Sequence, residues 1–347
     1  MNKKILIVIP SLKKGGTEIQ LKILIEKLIF LGYNVTVAVR ENNFDQRELN
    51  NVNFIELEDR GFISLKSLFR LYVFIRKEKP LFVYSLLRQM NLMTGFLNCF
   101  CRFNWVSSER SNPNHKTSLY DKLELFLKKR SLVACNSNVA KSFYEKNNYN
   151  TYYLTNFLKY KRQSKISYNK NFIVLSRLIK SKRVDEILKA WSLTNIKSNL
   201  GIVGYGPELE NLKALCYKLN LSNVSFHGKV EDPSDLLLSS SFFMSSSDLE
   251  GMPNAPLEAL CHNNILILSD IDVHREILMS NDDYLFKLGS VKELSKILIS
   301  VFELSKDNFD KSLNKQINYL KNHDNDTNTE KFIEFVSVYF KINSVRL

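Results

Sequence analysis

Runs of apolar residues alternate with helical spacing along the first 150 residues. Residues 5–9 form a continuous aliphatic run, which is typical of a strand buried on both faces of a parallel sheet. Apolar positions then recur every three or four residues from Thr17, which predicts a helix, and residues 34–39 predict a second strand. The alternation continues in ranges that predict strands near 54–57, 81–85, 105–108 and 132–134 and helices near 64–78, 90–102, 118–130 and 138–147. This pattern indicates a doubly wound, parallel α/β sheet.

A second series of the same kind begins near residue 171. Residues 156–170 are polar and basic without an apolar period, so we interpret residues 159–170 as a linker. We therefore expect an N-terminal domain over residues 1–158, a C-terminal domain over residues 171–325 and a final helical segment over residues 326–347.

The composition is that of an ordinary globular protein, with 347 residues, 44% of them hydrophobic and 24% charged. The five cysteines form no CxxC pair, and their odd number argues against a disulfide framework, so we expect free thiols in a reducing compartment. No apolar run is long enough to span a bilayer, and the first strand is too short for the core of a signal peptide. We therefore expect a cytoplasmic protein.

Positive charge is concentrated in the first half of the chain. Residues 1–150 contain 24 Lys and Arg against 13 Asp and Glu, whereas the remainder contains 25 against 23. A basic half suits an anionic membrane surface, a lipid-linked diphosphate or a nucleic acid. We rank nucleic acid last because no RNA-binding aromatic motif, helix-turn-helix signature or zinc finger accompanies the charge.

Two predicted helices of this half carry basic side chains among aromatic and aliphatic ones. The basic residues are Lys66, Arg70 and Lys77 in one helix and Lys122, Lys128, Lys129 and Arg130 in the other. Solvated charge on helices that pack against the core explains this pattern as well as a membrane-facing rim does. Both interpretations stay open.

Residues 241–262 combine features of a ligand site. A short apolar run is followed by a turn with Glu250, and a helix is predicted to start near Asn254, a good N-cap residue, with Glu258 in its opening turns. A helix N-terminus favours phosphate, and carboxylates beside it accept hydrogen bonds from hydroxyl groups, so the combination suits a nucleotide-sugar. Taken alone, the two carboxylates are more simply explained as a capping residue and a solvated loop residue.

Glycine or basic segments also follow other predicted strands, where ligands bind in open α/β sheets. Arg177 and Lys182 are spaced to clamp a diphosphate, the first as a planar fork and the second as a point charge. The other segments are Gly15-Gly16, Gly204-x-Gly206 and His227-Gly228. Each has a simpler explanation by itself: surface charge for the two cations, tight turns for the glycines and a structural role for the histidine.

The segment E-G-M-P-N-A-P-L-E-A-L resembles the E-x7-E signature of retaining glycosyltransferases with the GT-B fold, most closely those of glycosyltransferase family 4. The resemblance implies that Glu250 faces the donor sugar and that Glu258 binds the ribose hydroxyls. It also implies that Arg177 and Lys182 bind the donor diphosphate, so that Glu250, Arg177 and Lys182 form the catalytic group. The further donor-binding positions that it implies are Gly15, Gly16, Gly204, Gly206, His227, Gly228, Gly251, Met252, Pro253, Asn254 and Ala255.

The chain departs from the family pattern at two places. Ser176 and Arg183 stand where the phosphate-binding G-R-L-x-x-x-K-G segment of the family has glycines. On the acceptor side, Glu109 and Arg110 occupy the place of a histidine that many members have, and His115 follows several residues later. These three residues are the acceptor-side candidates.

The resemblance implies two Rossmann-like domains whose parallel sheets face a cleft that holds the donor, with the final helix packing back toward the first domain. The implied activity is retaining transfer of a hexose or N-acetylhexosamine from a nucleotide-diphosphate sugar, with a UDP-sugar expected and a GDP-sugar as the alternative. The donor phosphate would serve as the base, and no cofactor is expected. The acceptor would be a lipid-linked glycan of lipopolysaccharide, O-antigen or capsule, with the enzyme peripheral at the inner face of the membrane through its basic domain.

Several alternatives remain. The D-x-D patterns at residues 270–272 and 324–326 mimic the metal-binding motif of GT-A glycosyltransferases, but two successive βα domains disfavour that fold, so we expect no metal. A catalytically silent GT-B partner subunit is disfavoured by the intact Glu250, Glu258, Arg177 and Lys182. A nucleotide-sugar epimerase would turn over the donor without an acceptor, and a nucleic-acid binder would show steeply salt-dependent affinity.

Overall fold

A computed structural model describes residues 3–12, 15–41, 49–57, 64–279 and 282–341. The chain divides into two compact units. The first comprises Met1–Lys159 with Asp324–Leu347, and the second comprises Tyr160–His323.

Within the described residues, the first unit contains a seven-stranded parallel sheet in the order β3-β2-β1-β4-β5-β6-β7. Its strands are β1 Lys4–Ser11, β2 Asn34–Glu41, β3 Asn53–Glu56, β4 Phe82–Ser85, β5 Trp105–Glu109, β6 Leu132–Cys135 and β7 Asn150–Tyr153. Its first helices are α1 Gly16–Phe30, α2 Leu65–Glu78, α3 Leu87–Phe100, α4 Leu119–Lys128 and α5 Asn138–Lys146. The sequence pattern missed β7, because its half-exposed residues give no apolar run.

Side-chain caps start three of these helices. Ser64 accepts a hydrogen bond from the Ser67 N–H at the start of α2, and Ser137 does the same for α5. At α4, Ser118 and Asp121 form a reciprocal capping box. Such caps satisfy N–H groups that have no partner inside the helix and so define where each helix begins.

The second unit repeats the architecture with six parallel strands in the order β10-β9-β8-β11-β12-β13 among the residues described. The strands are β8 Phe172–Leu175, β9 Leu200–Val203, β10 Val224–Gly228, β11 Phe242–Ser245, β12 Ile265–Ser269 and β13 Leu285–Phe286. The helices are α6 Val184–Ser192, α7 Leu209–Lys218, α8 Ser234–Leu238, α9 Asn254–Cys261, α10 Asp272–Leu278, α11 Val291–Phe302 and α12 Lys306–Ile317. The predicted α/β fold of parallel sheets is confirmed.

The segment interpreted as a linker is attached to the second unit. The Gln163 N–H donates to the Cys261 carbonyl at 2.7 Å, and Asn263 donates to the carbonyls of Gln163 and Lys165 at 2.8 and 2.9 Å. These bonds hold residues 160–165 against the end of α9, and the boundary between the units falls after Lys159.

The last helix, α13 Asn325–Tyr339, belongs to the first unit. It packs on α1, where Lys27 and Asp326 form an ion pair at 2.6 Å. Its Phe332 ring is buried against Phe82 and Tyr84 of β4. The end of the predicted segment, from residue 342, lies outside the described residues. No helix in the described part of the chain is both long and apolar enough to cross a bilayer.

Candidate active site

Two loops of the second unit interlock and present Arg177 at the carboxyl end of β8. The Ser176 N–H donates to the Val203 carbonyl at 3.0 Å, and the Leu178 N–H donates to the Tyr205 carbonyl at 2.8 Å. A Cβ atom on Gly204 or Gly206 would overlap the carbonyl oxygens of Ser176 and Leu178, and both glycines have φ values near +150°. The two glycines therefore permit the close approach of the backbone segment that carries the exposed Arg177 side chain.

A second pair of loops brings Lys182 and Glu250 together. The Ser246 hydroxyl donates to the carbonyls of Lys182 and Arg183, both at 2.8 Å, and the Asp248 N–H donates to the Ser181 carbonyl at 3.0 Å. The Lys182 ammonium and the Glu250 carboxylate form an ion pair, and their side chains are only 16% and 15% exposed. The structure thus joins two predicted site residues that lie 68 positions apart.

Arg183 stands where the resembling motif has a glycine, and it adopts a left-handed backbone conformation. Its φ of +47° lies in the left-handed region, which is unfavourable for a side chain with a Cβ atom. Its guanidinium Nε donates to Glu186 Oε1 at 2.9 Å, and the other Glu186 oxygen accepts from the Gly289 N–H at 3.2 Å. This ion pair anchors the strained residue next to Lys182.

Helix α9 begins at the predicted residue, but Asn254 is not its cap. Pro253 occupies the N-cap position without a side-chain hydrogen bond, and Asn254 is the first helical residue. Glu258 lies one turn later and is half-buried, as are Gly251 and Ala255. The side chains of Met252 and Pro253 are buried, so these two residues support the turn from inside.

His274 supports the loop that carries Glu250 through Ser269, a role that the sequence did not reveal. This buried residue on α10 donates from Nδ1 to the Ser269 carbonyl at 2.8 Å, and the Ser269 hydroxyl donates to the Ser247 carbonyl at 2.6 Å. Burial lowers the pKa of His274 to about 4, so the ring is neutral at pH 7. Its Nε2 has no hydrogen-bond partner among the described residues. In the sequence its signal is limited to its position five residues after the end of β12.

His227 and Gly228 lie at the end of β10. His227 is exposed, and its ring lies against Gly201 of the neighbouring strand. The Gly228 carbonyl accepts a hydrogen bond from the Gly204 N–H at 2.8 Å, so this glycine helps to fix the loop behind Arg177.

The predicted glycine turn of the first unit opens α1. Gly15 is the N-cap with extended backbone, and Gly16 is the first helical residue. Glu18 lies in the first turn, where burial raises the pKa of its carboxyl and the charge of Arg110 opposes this shift. Arg110 therefore lies near the N-terminus of α1.

Glu109 is part of a buried charge cluster. Its carboxylate contacts Lys116 at 2.6 Å, Lys128 at 2.9 Å and the Tyr144 hydroxyl at 2.5 Å. The same two lysines contact Glu124 at 2.7 and 3.0 Å. Although burial alone would raise it, the two ammonium groups hold the pKa of Glu109 well below its usual range. Lys128, which we grouped with surface charge, is completely buried.

The three acceptor-side candidates do not form one group. Glu109 ends β5 and belongs to the buried charge cluster, whereas Arg110 follows the strand and has a different partner. Arg110 donates to Asn156 at 3.3 Å, whereas His115 is exposed in the short 3-10 turn Pro113–His115. Arg110 is therefore the candidate of the three whose side chain is half-buried beside the α1 turn.

Asp270, Asp324 and Asp326 of the two D-x-D patterns have structural partners. Asp270 pairs with Arg275 at 2.6 Å, Asp324 caps α13 by accepting from the Thr327 N–H at 2.7 Å, and Asp326 pairs with Lys27. In the part of the chain that the structure describes, no group of three or more His, Cys, Asp or Glu residues is arranged to hold a metal ion.

Residues 156–323, just under half of the chain, match the family model described as glycosyl transferases group 1. The capsular polysaccharide biosynthesis glycosyltransferase CapH of Staphylococcus aureus is 36% identical over 129 residues, which are 34% of this chain and 35% of CapH. An uncharacterized glycosyltransferase of Haemophilus influenzae is 30% identical over 153 residues, which are 42% of this chain and 43% of that protein. The matches therefore span well under half the length of these relatives.

Similarity of fold extends over nearly the whole chain. HepE from Anabaena, whose crystal structures contain UDP or UDP-glucose, superposes with a TM-score of 0.82 in the UDP complex. The superposition covers 96% of this chain and 100% of HepE at 18% sequence identity. The chain therefore has the α/β fold of GT-B glycosyltransferases, and its second unit carries the match to the group 1 family model.

Proposed function

We propose that this protein is a retaining glycosyltransferase that uses a nucleotide-diphosphate sugar as its donor. The observation that carries the proposal is the pairing of Lys182 with Glu250, next to the loop that holds Arg177 and within the region that matches group 1 glycosyltransferases. A hexose or N-acetylhexosamine would be transferred. We propose for the donor-binding and acceptor-side residues the roles that the resemblance implies.

The donor diphosphate would be held by positive charge of the second unit. Arg177 offers a planar fork, Lys182 a compact cation, and α9 a set of N–H groups without a side-chain cap. When the bond between sugar and phosphate breaks, negative charge develops on the leaving diphosphate. Fixed cations at that position lower the barrier, which is usually the largest electrostatic contribution to catalysis. In this proposal no metal ion is required, and the donor phosphate acts as the base.

The two carboxylates would orient the rest of the donor. Glu250 would accept hydrogen bonds from the sugar hydroxyls and Glu258 from the ribose hydroxyls. The UDP and UDP-glucose found in HepE support a UDP-sugar as the expected donor, with a GDP-sugar as the alternative.

The acceptor would be a lipid-linked or surface-polysaccharide glycan, of the capsule, lipopolysaccharide or O-antigen kind. The role of CapH in capsular polysaccharide biosynthesis supports this class. The excess of 24 basic over 13 acidic residues in the first 150 positions supports a peripheral location at the inner, anionic face of the membrane. The first unit would supply the acceptor side, with Arg110 as its first candidate.

Thermal unfolding with a panel of nucleotides tests the donor. A nucleotide at about 100 times its dissociation constant should stabilise the protein by roughly 2.7 kcal/mol. We expect UDP to raise the melting temperature of the wild type and not of Arg177→Ala, while Lys292→Ala, an exposed cation on α11, responds like the wild type. A response to GDP alone would change the donor class. No response to UDP, GDP or ADP would contradict the proposal and favour a silent partner subunit.

Donor turnover then separates transfer from epimerisation. The responsive nucleotide-sugar is incubated with the enzyme, with and without lipid-extracted glycan acceptor. We expect release of the free nucleotide to depend on the acceptor. Interconversion of sugars without an acceptor would instead identify an epimerase.

A further inference from the structure

Two helices of the first unit, α2 and α4, each bury one face in the core and expose apolar side chains on another face. On α2, Leu68, Leu71 and Ile75 pack into the core. The same helix exposes Leu65 by 85% and Phe69 by 66% on a different face. Exposed apolar patches of this kind on a globular protein mark an interaction surface.

Helix α4 repeats the pattern. Leu127 is buried, whereas Leu119 is 80% exposed and Phe126 is 61% exposed, with Leu123 between them. At 100° per residue, Leu119, Leu123 and Phe126 lie within about 60° of one another around the helix axis. They therefore form one outward stripe.

Helix α3 lies between α2 and α4 and contacts both. The connections from β3 to β6 all progress in one direction across the sheet, so right-handed crossovers place these three helices on the same side. The end of α3 adds Phe96 and Phe100, both exposed, with ring centroids 5.0 Å apart. The outward stripes of α2 and α4 and these two phenylalanines are named the α2–α4 face.

Among the described residues of α2 and α4 and those that directly follow each helix, the exposed charged side chains are basic. Exposed cations accompany the apolar stripes at Lys66, Arg76, Lys77, Lys122, Lys129 and Arg130. The acidic residues of α2 and α4, both of which are fully described, are engaged elsewhere: Glu78 pairs with Lys4, Asp121 pairs with Arg88 and Glu124 joins the buried cluster. The capping box and the buried cluster thus remove negative charge from the face.

We propose that the α2–α4 face is a docking surface for an anionic lipid bilayer. Leucine and phenylalanine would enter the boundary between head groups and acyl chains, and the flanking lysines and arginines would contact anionic head groups. A second copy of this chain fits poorly, because two such faces would bring cations against cations. This inference rests on the proposed function only in placing the acceptor at a membrane.

Co-sedimentation of the full chain with vesicles tests the surface. We expect stronger binding to phosphatidylcholine mixed with phosphatidylglycerol than to phosphatidylcholine alone, and weaker binding at high salt. The Phe69→Ser/Phe126→Ser variant should bind the anionic vesicles at least about tenfold more weakly. The Lys122→Gln/Lys129→Gln variant should lose roughly thirtyfold at low salt, since two surface cations are removed.

A matched control removes two cations from the second unit. Lys292→Gln/Lys296→Gln changes two exposed lysines one turn apart on α11 and should bind vesicles like the wild type. Equal binding to both vesicle types, or anionic binding that neither test variant weakens, would overturn the proposal. Binding of single-stranded RNA that depends on the lysines but not on the phenylalanines, without vesicle binding, would overturn it in favour of nucleic acid.

The same samples separate this inference from the donor proposal. Both test variants should keep the near-ultraviolet spectrum of the wild type and its thermal response to UDP. A retained UDP response in a wild type that ignores anionic vesicles overturns the docking surface and the proposed peripheral membrane location, and it leaves the donor proposal intact. Vesicle binding by a protein that responds to no nucleotide overturns only the donor proposal.

Discussion

The ion pair between Lys182 and Glu250 predicts an opposite effect of one substitution on binding and on catalysis. In the free protein, Glu250 neutralises the cation that we propose for the donor diphosphate. UDP must therefore compete with this carboxylate for Lys182. Replacing Glu250 with Gln keeps the shape of the side chain and removes the competitor, so UDP should bind more tightly to Glu250→Gln than to the wild type.

The magnitude follows from the burial of the pair. Fully exposed ion pairs contribute about 0.2–1 kcal/mol to stability. The side chains of Lys182 and Glu250 are only 16% and 15% exposed, so we expect the free energy of this pair to lie at the upper end of that range or above it. We take the free energy that UDP no longer spends on displacing this carboxylate in Glu250→Gln as about 1–2 kcal/mol, which corresponds to roughly 5- to 30-fold tighter UDP binding. Sugar transfer should fall by about 100-fold or more, because the same carboxylate would orient the sugar in the transition state.

Calorimetric titration with UDP at fixed salt measures the affinity, and a transfer assay measures the rate. Asp185→Asn serves as the matched control, because it removes a carboxylate that pairs with Lys189 on the exposed side of the same unit. It should leave both quantities unchanged. In the double-mutant cycle, the gain from Glu250→Gln should disappear in a Lys182→Gln background. Unchanged or weaker UDP binding by Glu250→Gln would refute the competition.

Four further predictions concern the buried charge cluster, the interlocked loops and the need for a metal ion. Lys128→Met should lower the free energy of unfolding by about 3–5 kcal/mol in urea titrations, because it leaves Glu109 and Glu124 buried with one cation fewer. The lysines lower the pKa of both carboxyls in the folded protein. The stabilising effect of these ion pairs should therefore be lost progressively as the pH falls below the unfolded pKa near 4.5. A free energy of unfolding that stays constant down to pH 3 would contradict this prediction. Gly206→Ala should lower the melting temperature and abolish the thermal response to UDP, because the added methyl group overlaps the Leu178 carbonyl. An unchanged UDP affinity would show that the interlocked loops do not position Arg177. EDTA should leave sugar transfer unchanged, and activity that returns only with added Mg²⁺ would contradict the proposed metal-free mechanism.

Sequence periodicity was sufficient for most elements of the fold. Buried parallel strands such as β1 and β12 are continuous apolar runs, and each is followed by helical spacing. Periodicity does not predict a strand where burial is partial, as at β7, or where the strand has only two residues, as at β13. In both cases the pairing with a neighbouring strand, rather than a local apolar pattern, defines the element.

The candidate site was predictable as a set of residues but not as an arrangement. The pairing of Lys182 with Glu250 depends on Ser246, which bonds to backbone carbonyls of the other loop and gives no signal of its own. Arg183 shows the same limit: a glycine position in the resembling motif is filled by an arginine that adopts the left-handed conformation beside Glu186. Such compensation is visible only when residues distant in sequence are brought together.

The burial of Lys128 also changes how the charge of the first half should be interpreted. Counted along the sequence, this lysine belongs with Lys122 and Lys129 on one basic helix end. In the structure it balances two glutamates in a cluster that contains as many carboxylates as ammonium groups. Because this cluster is balanced, it contributes nothing to the excess of positive charge in residues 1–150. The cations of the α2–α4 face are part of that excess. Glu109 and Glu124 are paired with lysines inside the cluster, so these carboxylates do not cancel the attraction of the surface cations for an anionic surface.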